Sequence, residues 1–138
     1  MEREYLGYYF EINKDGTESS FGFKMIIELD ENLSFTGTVW EDEFSGISRK
    51  SPTVKGFIDG DHISFVKKYP CKYESNENSE VVIDIDKPGH EVIYDGYWNE
   101  ELKNWTGEWE IEGDIELFHL NEIKASVYIG RFEMKEIQ

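Results

Sequence analysis

The chain has little that can staple or break it: one cysteine and three prolines in 138 residues. A lone Cys71 cannot close an internal disulfide, so the fold must stand on packing. The opening residues Met1-Glu2-Arg3-Glu4-Tyr5 lack the basic start and apolar stretch of a secretory signal. Both features make the cytoplasm the expected location. No run of about 18 apolar residues occurs, which excludes a membrane-spanning helix and leaves no membrane partner expected. Basic residues are also scarce, 14 Lys and Arg against 30 Asp and Glu, for a net charge of −16. Such a surface repels a phosphate backbone, so nucleic acid is not an expected partner. No composition shift or low-complexity tract divides the chain, and residues 1–138 read as one domain.

Aromatics are plentiful: nine Phe, eight Tyr and four Trp, 15% of the chain, within a hydrophobic share of 38%. A disordered chain would not carry them. Their spacing alternates with a period of two. Phe21, Phe23, Met25, Ile27 and Leu29 share one parity, opposite Gly22, Lys24 and Glu28. Trp105, Gly107, Trp109 and Ile111 alternate with Thr106, Glu108, Glu110 and Glu112. Segments of this kind bury one face and wet the other, as antiparallel strands do.

The alternation predicts core strands over 5–12, 20–29, 33–43, 53–59, 62–69, 91–98, 104–112 and 126–135. Turn signals separate most of them: Asn13-Lys14-Asp15-Gly16, Asp30-Glu31-Asn32, Asp59-Gly60-Asp61 and the stretch from Asn99 to Asn104. Short connections make sequence neighbours sheet neighbours, and the expected result is a meander. Residues 44–52 read as a long loop. Residues 73–90 begin polar and contain Val81-Val82-Ile83-Asp84-Ile85, a possible short extra strand. Residues 115–125 fit strand and helix spacing equally.

Glycine recurs inside the strands on the apolar parity, at Gly7, Gly37, Gly56, Gly96, Gly107 and Gly130. Each has a bulky residue two positions away on both sides, as in Trp105/Trp109 around Gly107. Glycine weakens an ordinary strand, so the repetition needs a physical reason. Tight coiling to close a small barrel is one. Space for a neighbour's aromatic ring, or for a ligand, is another. The fold expected is all-β, an antiparallel up-and-down barrel of about eight strands.

The units Phe35-Thr36-Gly37-Thr38-Val39, Trp105-Thr106-Gly107-Glu108-Trp109 and Tyr128-Ile129-Gly130-Arg131-Phe132 resemble strands of the calycin group. These are the lipocalins, fatty-acid-binding proteins and avidins, barrels that hold a small molecule in the mouth. Gly7-Tyr8-Tyr9 is similar to the Gly-x-Trp that opens many of them, with Tyr9 at the Trp position. The resemblance spans nearly the whole chain as a strand pattern. It departs at Glu11, where avidins carry a small polar biotin ligand, and it lacks the lipocalin disulfide. What it implies is a lipocalin-like barrel binding a small, partly apolar ligand in its lumen.

If the glycine parity faces inward, polar side chains near the strand ends do too. Glu41 shares parity with Phe35 and Val39, Lys67 and Tyr69 with Ile63 and Phe65, and Glu11 with Tyr5 and Tyr9. A buried charge is costly unless paired, so Glu41 and Lys67 either pair, grip a charged ligand group, or lie in solvent beyond shorter strands. Tyr9, Tyr94, Trp98 and Trp109 offer aromatic walls with polar tips. The candidate ligand-binding set is therefore Tyr9, Glu41, Lys67, Tyr69, Tyr94, Trp98 and Trp109. His62, His90 and His119 have no metal-ligand spacing, and no nucleophile elbow, phosphate loop or dinucleotide fingerprint occurs. No metal, cofactor or catalytic residue is expected. A second reading is an acidic module or inhibitor that docks a basic partner protein through outward acids such as Glu108, Glu110 and Glu112. Phe10, Tyr8, Trp40, Phe57 and Tyr97 fall on the outer parity, where an aromatic patch would serve a homo-oligomer.

Overall fold

The computed structural model describes residues 1–12, 15–41, 51–69, 72–75, 81–84, 91–112 and 127–137. Within them the strands are β1 (Glu2–Ile12), β2 (Glu18–Leu29), β3 (Ser34–Glu41), β4 (Thr53–Asp59) and β5 (His62–Lys68). They continue as β6 (Lys72–Ser75), β7 (Val81–Asp84), β8 (Glu91–Asn99), β9 (Asn104–Glu112) and β10 (Val127–Ile137). Eight strands form a closed barrel in the order β1-β10-β9-β8-β5-β4-β3-β2. Every pairing in it is antiparallel. Among the described residues there is no helix long and apolar enough to cross a membrane.

The meander expected from the turn signals is present, with one interruption. Between β5 and β8 the chain makes a separate two-stranded sheet, β6 with β7. β7 coincides with the Val81–Ile85 run, whereas β6 was not expected because Lys72-Tyr73-Glu74-Ser75 carries no apolar alternation. β1 and β10 are longer than their hydrophobic patterns predict. They pair with each other from Glu4↔Ile137 to Phe10↔Arg131, and this seam extends both strands beyond their apolar cores. The predicted ends at 42–43 and most of the 44–52 loop lie outside the described residues, as does the ambiguous segment 115–125.

Parity holds all round the barrel. Tyr5, Tyr9, Met25, Ile27, Phe35, Val39, Ile63, Phe65, Tyr94, Phe132 and Met134 are buried. Rings interlock at the centre: Phe65 stacks on Tyr94 at 4.6 Å, and Phe132 meets both edge-on at 6.0 and 5.1 Å. The inward glycines are filled rather than vacant. The ring tips of Phe23 and Phe132 lie 2.7 and 2.8 Å from where a Cβ at Gly7 and Gly96 would stand, and the indole of Trp109 occupies the notch at Gly130. Gly107 faces Gly96 directly across β8–β9, and a Cβ there would overlap the Asp95 carbonyl. These notches let adjacent strands coil closely enough to close a small barrel while admitting large rings.

The two ends differ. At one, Asp30 closes the β2–β3 connection by accepting bonds from the Asn32 and Ser34 amides at 2.9 and 3.0 Å. Gly60-Asp61 makes a two-residue hairpin turn, with Gly60 at φ +58°, and Asn99 Oδ1 accepts from Glu101 and Leu102 in the β8–β9 turn. Every longer connection leaves from the opposite end, where β1, β3, β5 and β9 finish.

Candidate functional site

A charged network sits inside the barrel near the end where the long connections leave. β3 ends on Glu41 and β5 delivers Lys67; both strands flank β4, and alternation turns both side chains inward. Lys67 is 3% and Glu41 6% exposed, so neither lies in solvent beyond its strand. The Lys67 ammonium donates to Glu41 Oε1. The Tyr69 hydroxyl donates across the same carboxylate, 3.1 Å from Oε1 and 2.9 Å from Oε2. The ammonium also lies 4.8, 5.0 and 5.1 Å from the ring centres of Tyr9, Tyr69 and Tyr94, an aromatic box around a buried cation.

The electrostatics follow from burial. Burial opposes charge on Lys67, but Tyr94, Tyr69 and the Glu41 carboxylate outweigh it and hold the ammonium well above its ordinary range. Burial pushes the Tyr69 hydroxyl well above its ordinary range and raises Tyr94 as well, against the pull of Lys67. A buried ion pair seldom stabilises a fold more than apolar residues of the same volume would. Retaining one inside an otherwise apolar barrel points to a role beyond stability.

Further aromatic and polar side chains frame this end. Tyr9 stacks on the half-buried Phe21 at 5.2 Å and meets Trp109 edge-on at 6.5 Å. The Trp109 indole N–H donates to the Phe10 carbonyl at 3.1 Å, which fixes the ring. Ile111 packs half-buried against the barrel core, and Glu11 is half-buried close enough to influence Tyr94. The structure thus brings together Tyr9, Glu41, Lys67, Tyr69, Tyr94 and Trp109. Trp98 is not among them. It lies at the turn end of β8, packed on Trp105 at 5.4 Å with its N–H donating to Glu100 Oε2 at 2.7 Å. Parity places a side chain inside or outside but not at which end, and Trp98 belongs to the sealed end. Phe21 is the residue that sequence reasoning missed; its alternation with Phe23 and Met25 was the available signal.

Directly below the network, among the described residues, the packing is tight. The void bounded by Phe23, Met25, Val39, Phe65, Lys67 and Tyr94 is about 10 Å³, room for no more than one water. Among the described residues no cluster of three or more His, Cys, Asp or Glu is placed to hold a metal ion. Both Glu41 oxygens accept hydrogen bonds within the network.

The molecule is therefore a closed, eight-stranded antiparallel barrel with a buried ionic network at one end of its interior. No family model matches the chain, and no curated protein matches it.

Proposed function

We propose that the protein is a binding protein of calycin type, taking a small, partly apolar molecule at the mouth above the Glu41–Lys67 network. The observation that carries the reading is the asymmetry of the interior. The buried charged side chains sit at the end with long connections, boxed by tyrosine rings, while tight turns close the other. Barrel mouths are a common place for ligand sites of this composition. With only about 10 Å³ free below Lys67, the ligand does not reach the lower lumen. Its flat apolar part would lie against Phe21 and Trp109, and its polar group toward the network and Glu11. The reading is binding without catalysis. A chain with one cysteine suits a reducing compartment, and we place this function in the cytoplasm.

Native mass spectrometry of protein purified from its own host tests this. A retained small molecule, lost in a Phe21→Ala or Trp109→Phe variant that still folds, supports the proposal. Absence of any retained mass, together with no stabilisation by a metabolite library, overturns it.

A second reading has its own observation. Asp95 and Glu108 stand directly opposite each other on the outer face of β8–β9, a like-charge pair offset in part by His62, 3.1 Å from Asp95, and by Arg131, opposite Glu108. Docking of a basic partner protein would relieve it. Capture of a cationic protein that is released by salt supports that reading, and capture that salt leaves intact opposes it.

A further inference from the structure

The outer face of β1 is apolar where a sheet wall turned to water is ordinarily polar. Leu6, Tyr8 and Phe10 point outward in succession along the strand. Phe10 is covered within the molecule: the Arg131 guanidinium lies 3.8 Å over its ring and is held by Glu18 at 2.8 Å. Leu6 and Tyr8 stay bare, 53% and 52% exposed. β10 sets a charge beside each of them. Lys135 stands opposite Leu6, and Glu133 opposite Tyr8. Beyond Glu133 the wall continues through Thr106 on β9.

The signs on this wall are balanced, unlike those of the whole chain. Around Leu6 and Tyr8 lie Glu4, Lys24, Arg131, Glu133 and Lys135, three cations to two carboxylates, in a protein of net charge −16. Two copies of such a protein repel each other in most orientations. On this wall they meet without that cost. Signs so evenly mixed give no advantage to a cationic or an anionic partner, but a second copy can match them residue by residue.

The order of the residues supplies that match. A two-fold axis crossing β1 between Leu6 and Tyr8, at right angles to the strand, sets two β1 strands face to face and antiparallel. Leu6 then meets the partner's Tyr8, and Tyr8 the partner's Leu6, as an isologous contact requires. The same rotation brings Lys135 opposite the partner's Glu133, and does so twice, because the two charges flank Leu6 and Tyr8 on the same side. An axis parallel to β1 would instead set Lys24 against the partner's Lys135, since these two flank Leu6 on opposite sides. The charges thus select one of the two symmetric arrangements.

We propose that the β1–β10 wall is a homodimer interface, with Leu6 on the partner's Tyr8 and Lys135 on the partner's Glu133. It lies on the side of the barrel and is independent of what binds at the mouth.

Sedimentation velocity of the intact protein, from about 10 μM to about 0.5 mM, tests this. The expected result is a reversible dimer that tightens as sodium chloride is raised to about 0.3 M, because screening removes the overall repulsion. At that salt, Leu6→Asp should weaken the dimer about tenfold or more, whereas Tyr97→Asp, which adds the same charge on β8, should leave it unchanged. Glu133→Lys and Lys135→Glu should each weaken it, and the double exchange Glu133→Lys/Lys135→Glu should recover it, because the opposed signs are restored. All these side chains are on the outer wall, and circular dichroism confirms that each variant is folded. A monomer across the whole range overturns the proposal. So does a dimer that survives Leu6→Asp, one that Tyr97→Asp breaks instead, or a double exchange no tighter than the single ones.

Discussion

Lys67 and Glu41 meet inside the barrel although their strands are not neighbours: β4 lies between β5 and β3. The pair therefore ties together three strands of the wall, and the Tyr69 hydroxyl closes the network on the carboxylate. Its energetic character decides the first prediction.

Removing one partner leaves the other buried and unpaired. Lys67→Met should cost about 3–5 kcal/mol, whereas Glu41→Leu with Lys67→Met should come within about 1 kcal/mol of the parent or exceed it by up to about 4 kcal/mol. Urea unfolding of the two single variants and the double variant measures this. A double variant as unstable as the single ones would show that the pair itself holds the fold.

Alkaline pH should weaken the fold through the same network. The Tyr5, Tyr69 and Tyr94 hydroxyls and the Lys67 ammonium all have folded-state pKa values raised above their ordinary values, 10.0 for tyrosine and 10.5 for lysine. Above about pH 10 the folded state keeps protons that the unfolded chain has released. Their contribution is complete below that pH and is lost as pH rises through the raised values. Tyrosinate absorbance should show these three tyrosines ionising late, together with the loss of β circular dichroism. Ionisation of every tyrosine near pH 10.0 with the fold intact would contradict the burial described.

The glycine notches should rank by what fills them. Gly107→Ala drives a methyl group into the Asp95 carbonyl and the Gly96 backbone, which cannot move without opening the β8–β9 ladder. Gly96→Ala meets the end of the Phe132 ring first, at 2.8 Å, and a ring can tilt. The expected costs are about 3 kcal/mol or more for Gly107→Ala and about 1–2 kcal/mol for Gly96→Ala, read from thermal or urea unfolding. The reverse order would mean that ring packing, not strand approach, sets the need for glycine.

Among the four tryptophans, Trp40 is the one with its ring on the outer wall, while Trp105 and Trp109 are buried. Acrylamide should quench one component readily, and Trp40→Phe should remove most of that component without unfolding the barrel. Equal quenching before and after the substitution would place a second tryptophan in solvent.

The fold was legible because the chain's alternation is consistent strand by strand. Phe35, Gly37, Val39 and Glu41 keep one parity on β3, and Ile63, Phe65 and Lys67 keep it on β5, so inside and outside could be assigned without coordinates. Position along the barrel axis was less accessible. Pairing Glu41 with Lys67 requires the register of two ladders, Gly37↔Val54 and Val54↔Lys67; the second follows from the two-residue Gly60-Asp61 turn, but the first does not, because the β3–β4 connection is long. The same limitation put Trp98 with the wrong group. Lys72–Ser75 escaped notice because a short polar strand has no apolar rhythm to detect.

The seam between β1 and β10 has a kinetic consequence. Contacts such as Glu4↔Ile137 join residues from nearly opposite ends of the sequence, so ring closure must wait until the last strand is available. Until then β1 exposes an unsatisfied edge beside Leu6 and Tyr8, open to pairing with another unfinished chain. Folding should accordingly be slow for the size of the domain, and most prone to intermolecular error just before completion.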